Sequence, residues 1–164
     1  NRANLEASQD MILELLQQSI VSPDHILRRE AAYATLDLPQ ISEKLVTALL
    51  CGLRDPLPEL AEACYWSLAR KQSLELNDFL SGLMVTSLQL ALQNTDKRVR
   101  RGAAALSSRL KAWLPAKGTY ASTLNGVQQE LANDICHTVR AQIILERDEN
   151  ASGKSSETPN QATV

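Results

Sequence analysis

Aromatic residues are scarce in this chain of 164 residues: Phe, Trp and Tyr together make up 4% of it. Strands draw on aromatic and β-branched side chains, so a sheet-based core is poorly supplied, whereas abundant Leu and Ala suit helix-on-helix packing. Glycine and proline are also few, six of each, and most stand between apolar periodic segments, as the short turns of an all-α chain require. No two glycines fall within a short window, which excludes a phosphate-cradling loop.

Groups that carry chemistry are equally thin. The three cysteines, Cys51, Cys64 and Cys136, are odd in number and widely spaced, which excludes a disulfide framework and tetrahedral metal spacing. Each falls in a segment of helical periodicity and is expected to be a small buried hydrophobe in a reducing compartment. His25 and His137 each lack a second histidine at ligand spacing, so no metal and no cofactor is expected. Cys136 and His137 are neighbours on a predicted helix, point in different directions, and cannot pair as nucleophile and base. Glu59 and Glu62 stand near a predicted helix start, where carboxylates meet the positive end of the dipole. The expectation is a protein that is not an enzyme.

No stretch approaches the roughly 20 apolar residues that span a bilayer, and no secretory signal is visible. An intracellular location, cytoplasmic or nuclear, without membrane attachment is the corresponding expectation. Asn1 in place of Met predicts a fragment of a longer chain.

Charge is present but unevenly placed. Residues 1–96 hold seven Lys/Arg against thirteen Asp/Glu, and residues 97–164 hold ten against six. Residues 97–129 contain Lys97, Arg98, Arg100, Arg101, Arg109, Lys111 and Lys117 before any carboxylate appears. Such asymmetry concerns partners rather than fold.

Apolar periodicity predicts six helices in succession. The first runs over residues 4–20 with Leu5, Ile12, Leu13, Leu16 and Ile20 on one side. The second, residues 24–36, turns Ile26, Leu27, Ala31, Tyr33 and Ala34 toward neighbours. Ser42 caps the third, which carries Leu45, Val46, Leu49, Leu50 and Leu53. Pro58 opens the fourth with Leu60, Ala63, Cys64 and Leu68. Asn77 or Asp78 caps the fifth, with Phe79, Leu80, Leu83, Met84, Leu88 and Ala91. The sixth places Val99, Ala103, Leu106, Leu110 and Trp113 on one stripe and stops at Leu114-Pro115. A long final helix then keeps Tyr120, Leu124, Val127, Leu131, Ile135, Val139 and Ile143 on one side, with Asn125-Gly126 as its weak point. After Arg147 the composition turns polar, and residues 148–164 are expected to form a disordered tail behind a domain of residues 1–147.

Leu27, Leu60 and Val99 align as equivalent positions of successive repeats, each followed one helical turn later by a small residue, Ala31, Cys64 and Ala103. Small residues let two helices approach closely. With Asp55-Pro-Leu-Pro-Glu-Leu before Ala63-Cys64 and Leu68, the chain resembles HEAT repeats of the armadillo-type α-solenoid class over residues 5–114. The resemblance implies an all-α solenoid of about three helical hairpins, with the long last helix as a C-terminal cap. It also implies that turn aspartates and second-helix arginines form a ladder, which makes Asp55, Asp96, Arg28 and Arg100 structural. Ala61 stands where the family has arginine and interrupts that ladder. The His-Glu pair that binds iron in HEAT-like hydroxylases is missing.

The functional expectation is a non-catalytic scaffold or adaptor segment, the C-terminal end of a larger solenoid, whose partner is a protein. The alternative is a nucleic-acid-binding module akin to the HEAT-like DNA glycosylases, using the basic helix of residues 97–114. A third reading is a helper domain of a larger enzyme. Lys97, Arg98, Arg101, Arg109 and Lys111 are the candidate partner-binding residues, facing an acidic peptide or a phosphate backbone. The sequence sets no oligomeric state.

Overall fold

The computed structural model describes residues 2–115 and 117–135, with side chains from residue 6 onward. Among the described residues there are seven helices and no strand. They are α1 (Arg2–Ile20), α2 (His25–Ala34), α3 (Glu43–Gly52), α4 (Pro58–Ala69), α5 (Asp78–Ala91), α6 (Lys97–Trp113) and α7, residues 121–135. The chain divides into two compact units, Asn1–Leu131 and Ala132–Val164; of the second, residues 132–135 are described and are helical.

Local chemistry sets the helix starts. Asp24, Ser42, Asn77 and Asp96 each accept a hydrogen bond from a backbone N–H of the first turn, filling one of the donors a helix leaves open. α4 has no such cap and begins instead on Pro58, whose fixed φ suits the first turn. One device recurs in the turns that precede the even-numbered helices. Ser22, Asp55 and Asn94 each accept from the N–H two residues on, at 3.2, 3.0 and 2.9 Å. Each stands at the same offset before its own member of the aligned set Leu27, Leu60 and Val99.

Packing follows a regular order. α1 touches α2 and α3; α2 touches α4; α3 touches α4 and α5; α4 and α5 both touch α6. α4 is the most enclosed, with Leu60, Ala61, Ala63, Cys64, Tyr65, Ser67, Leu68 and Ala69 all buried. Full burial of a leucine contributes about 2 kcal/mol, so this helix anchors the core. Small residues permit the closest approaches: a Cβ added to Gly102 would lie 2.7 Å from the Tyr65 Cβ, and one added to Gly52 would lie on the Cys64 Sγ. Tyr65 keeps its buried hydroxyl satisfied by donating to the Ser87 carbonyl at 3.0 Å. In α7, Leu124, Val127 and Leu131 join the same core, and Tyr120 donates to the Asp78 carbonyl at 3.3 Å.

Several expectations change. Ile12, Ile26, Leu27, Tyr33 and Phe79 are exposed rather than turned to neighbours. Cys51 is exposed, while Cys64 is buried and its thiol is pushed up to about 12 by burial. The helix of residues 121–135 passes through Asn125-Gly126 without a break. The Leu5 side chain, Cys136, His137, Val139, Ile143, the rest of the expected capping helix and the tail of residues 148–164 lie outside the described residues.

Candidate functional site

The even-numbered helices α2, α4 and α6 carry the candidate residues. Of the five cations expected to meet a partner, Lys97, Arg101 and Lys111 are exposed on α6. Arg98 is engaged within the molecule. It grips Asp96 through Nε at 3.1 Å and NH2 at 2.7 Å, and reaches Glu59 of α4 through NH1 at 3.0 Å. That hydrogen-bonded guanidinium holds the Asp96 carboxyl down at about 2. Glu59 is lowered too, first by its own backbone N–H and then by Arg98. Arg109 is exposed, yet its Nε donates to the Ala69 carbonyl at 3.0 Å.

The arginines assigned to a ladder behave alike in one respect. Arg28 NH1 donates to the carbonyls of Ser22 and Pro23, and Arg100 NH1 donates to those of Asn94 and Thr95, at the same sequence offsets. Each arginine thereby closes the turn before its own helix. Arg28 also reaches forward to Asp55 with Nε and NH2, both at 3.1 Å. Ala61 cannot make the corresponding reach, and the Arg98–Glu59 pair links α6 to α4 instead. Asp96 serves as the cap of α6 and the partner of Arg98, not as the acceptor of an arginine from the preceding helix.

Two exposed aromatics, neither of which periodicity assigns to a surface, lie on the same helices: Tyr33 on α2, 41% exposed, and Trp66 on α4, 37% exposed. They are equivalent positions in the register that aligns Leu27 with Leu60, and this repeat was the signal that could have found them. The same register aligns Arg29 with Glu62 and Arg101, and Asp37 with Arg70 and Arg109. Thr35 donates to the Ser67 hydroxyl and Ser67 to the Ala32 carbonyl, both at 2.7 Å, which fixes α2 against α4 in this register. Arg70 lies 3.7 Å from Asp37, and Arg29 lies 2.7 Å from Glu30; both pairs are solvated and hold their partners weakly. Trp66 thus has Glu62 one turn before it and Arg70 one turn after it on α4, and the register places Arg29, Arg101 and Arg109 at the positions equivalent to these two on α2 and α6.

Lys71 is a second residue that sequence reasoning passes over. Its ammonium is buried and donates to the carbonyls of Thr35, Leu38 and Leu36 at 2.5, 2.6 and 3.4 Å. Burial lowers its pKa. The three carbonyls lie just beyond α2, where a cation meets the negative end of the helix dipole. All three N–H bonds are spent on backbone, so this lysine ties α4 to the end of α2.

Among the described residues, no cluster of His, Cys, Asp and Glu could hold a metal ion, and no helix is long and apolar enough to cross a membrane. Comparison with protein-family models, with curated proteins and with solved structures gives no match.

Proposed function

We propose that the chain is a non-catalytic protein-interaction scaffold, an intracellular segment built as a HEAT-like α-solenoid whose even-numbered helices present the binding face. The succession of contacts among odd and among even helices supports the solenoid reading, as do the recurrent Ser22, Asp55 and Asn94 turns. The observation that carries the functional reading is exposed Trp66, with exposed Arg70 one turn on along α4 and exposed Tyr33 at the equivalent position of α2. Trp, Tyr and Arg are the residues that dominate protein–protein hot spots. Asp37 pairs with Arg70 and Glu62 stands one turn before Trp66, and a surface of mixed sign suits a protein more than a polyanion.

The second reading, a nucleic-acid-binding module on residues 97–114, keeps exposed Lys97, Arg101 and Lys111. Arg98, already paired with two carboxylates, adds little to it.

Affinity capture by the wild-type chain and by Trp66→Ala, from extracts of the cells that make it, tests the proposal. A defined protein retained by the wild type and lost by a variant of unchanged circular dichroism is the expected result. Equal retention by both, or salt-sensitive binding of duplex or single-stranded nucleic acid in its place, overturns it.

A further inference from the structure

The two joints between successive even helices differ at their turns. At the first, Arg28 spans from the Ser22 carbonyl to the Asp55 carboxylate and closes the space between the turns before α2 and α4. At the second, the corresponding turns are those of Asp55 and Asn94, and the position of Arg28 is held by Ala61, whose methyl cannot span them. A cleft of about 210 Å³ lies there, with Asp55 and Asn94 both in its wall. Arg54 and Ser87 complete its polar lining, and Leu90 and Val99 contribute to its apolar lining.

The polar groups of this cleft favour an anion. Arg54 is exposed, and its Nε donates to the Ser87 hydroxyl at 3.4 Å, while NH1 and NH2 meet no acceptor among the described residues. The turn itself does not call for a cation at this position, since the counterparts of Arg54 are Val21 and Gln93. Asp55, the one carboxylate in the lining, is countered by Arg28 at 3.1 Å and also accepts the Leu57 N–H at 3.0 Å. The Ser87 carbonyl accepts the Tyr65 hydroxyl, the Gly52 carbonyl the Asp55 N–H, and the Ala91 carbonyl the Asn94 N–H. An entering cation would therefore meet Arg54 and carbonyls already in use. An entering carboxylate would meet the open N–H groups of Arg54 and the Asn94 amide, whose oxygen is turned to the Asp96 N–H and whose NH2 is left to donate. Leu90, 53% exposed, adds an apolar shelf beside them. Whole small-molecule ligands occupy roughly 300–1,000 Å³, so a smaller cleft suits one or two side chains of a peptide better than a cofactor.

We propose that this cleft binds an acidic segment of a partner protein, a carboxylate side chain docking on Arg54 and Asn94 while an adjacent apolar side chain covers Leu90. The site goes beyond the Trp66 reading and does not depend on it, since neither Trp66 nor Tyr33 lines the cleft. Paired N–H bonds from the guanidinium hold the carboxylate, and because Arg54 is exposed the contact weakens as salt rises.

Nuclear magnetic resonance titration of the full chain with the acetylated and amidated dipeptide leucyl-glutamate tests this, with leucyl-glutamine and inorganic phosphate as comparison probes. Saturable shifts are expected at the amides of Leu53, Arg54, Leu90 and Asn94, with both comparison probes binding about tenfold more weakly or less. Arg54→Gln removes the donors, and Asn94→Asp places a like charge beside the carboxylate while keeping the oxygen that accepts the Asp96 N–H. Each should weaken the dipeptide about tenfold or more. Trp66→Ala should leave the titration unchanged, so this experiment and the capture experiment fail independently. No shift in the cleft at the highest soluble dipeptide concentration overturns the proposal, as do shifts confined to Lys97, Arg101 and Lys111 of α6. Binding indifferent to both cleft substitutions also overturns it, and so does phosphate binding as tightly as the dipeptide, which means a simple anion site.

Discussion

Lys71 shows how a single residue can be both costly to bury and hard to replace. Its ammonium leaves water, which lowers its pKa, but three carbonyls beyond α2 accept its hydrogen bonds. Lys71→Met keeps the apolar stem and abandons those acceptors, with an expected loss of about 2 kcal/mol in urea denaturation. A change of less than a few tenths would contradict the assignment. Asp96 gives the pH counterpart. Its carboxyl is depressed from 3.8 to about 2, chiefly by the Arg98 side chain and then by the Arg98 N–H. A depressed carboxyl stabilises the fold above its unfolded value and loses that contribution as pH falls through the folded value. Acid unfolding curves should therefore carry a component between pH 3.8 and about 2 that is missing in Asp96→Asn. Neither residue's role is legible in sequence, since Lys71 and Arg98 both meet partners that lie far back along the chain, the carbonyls after α2 and Glu59.

At the scale of elements, local chemistry is legible and the choice of buried side is less so. Ser42, Asn77 and Pro58 act as the sequence suggests because a cap or a first-turn proline works within a few residues. The faces of α3, α4 and α6 also follow their stripes, since each is sandwiched by neighbours. On α1, α2 and α5, apolar residues exceed what the neighbours cover, and periodicity alone does not say that Ile12, Leu27 or Phe79 stays in water. Glycines test the packing. Gly102→Ala would press a methyl into Tyr65 and force α6 from α4, with an expected cost of about 2 kcal/mol. Gly126 sits within α7 with nothing within 4 Å of an added Cβ, so Gly126→Ala should stabilise by about 0.5–1 kcal/mol. Thermal denaturation of the two variants should move in opposite directions.

Across the whole molecule, one register links fold and surface. The step that aligns Leu27 with Leu60 also aligns Tyr33 with Trp66 on the outside, so a repeat that packs also repeats its exposed side chains. The excess of cations in residues 97–129 is plain in sequence, but Arg98 turns inward to Asp96 and Glu59, which leaves exposed Trp66 and Arg70 of α4, with Tyr33 of α2, as the proposed surface. Site-specific photo-crosslinking from position 66 tests that surface most directly, with the exposed Thr47 of α3 as the control position. A discrete protein adduct from position 66 and none from position 47 is the expected result. Equal adducts from both positions, or adducts to nucleic acid alone, would contradict it.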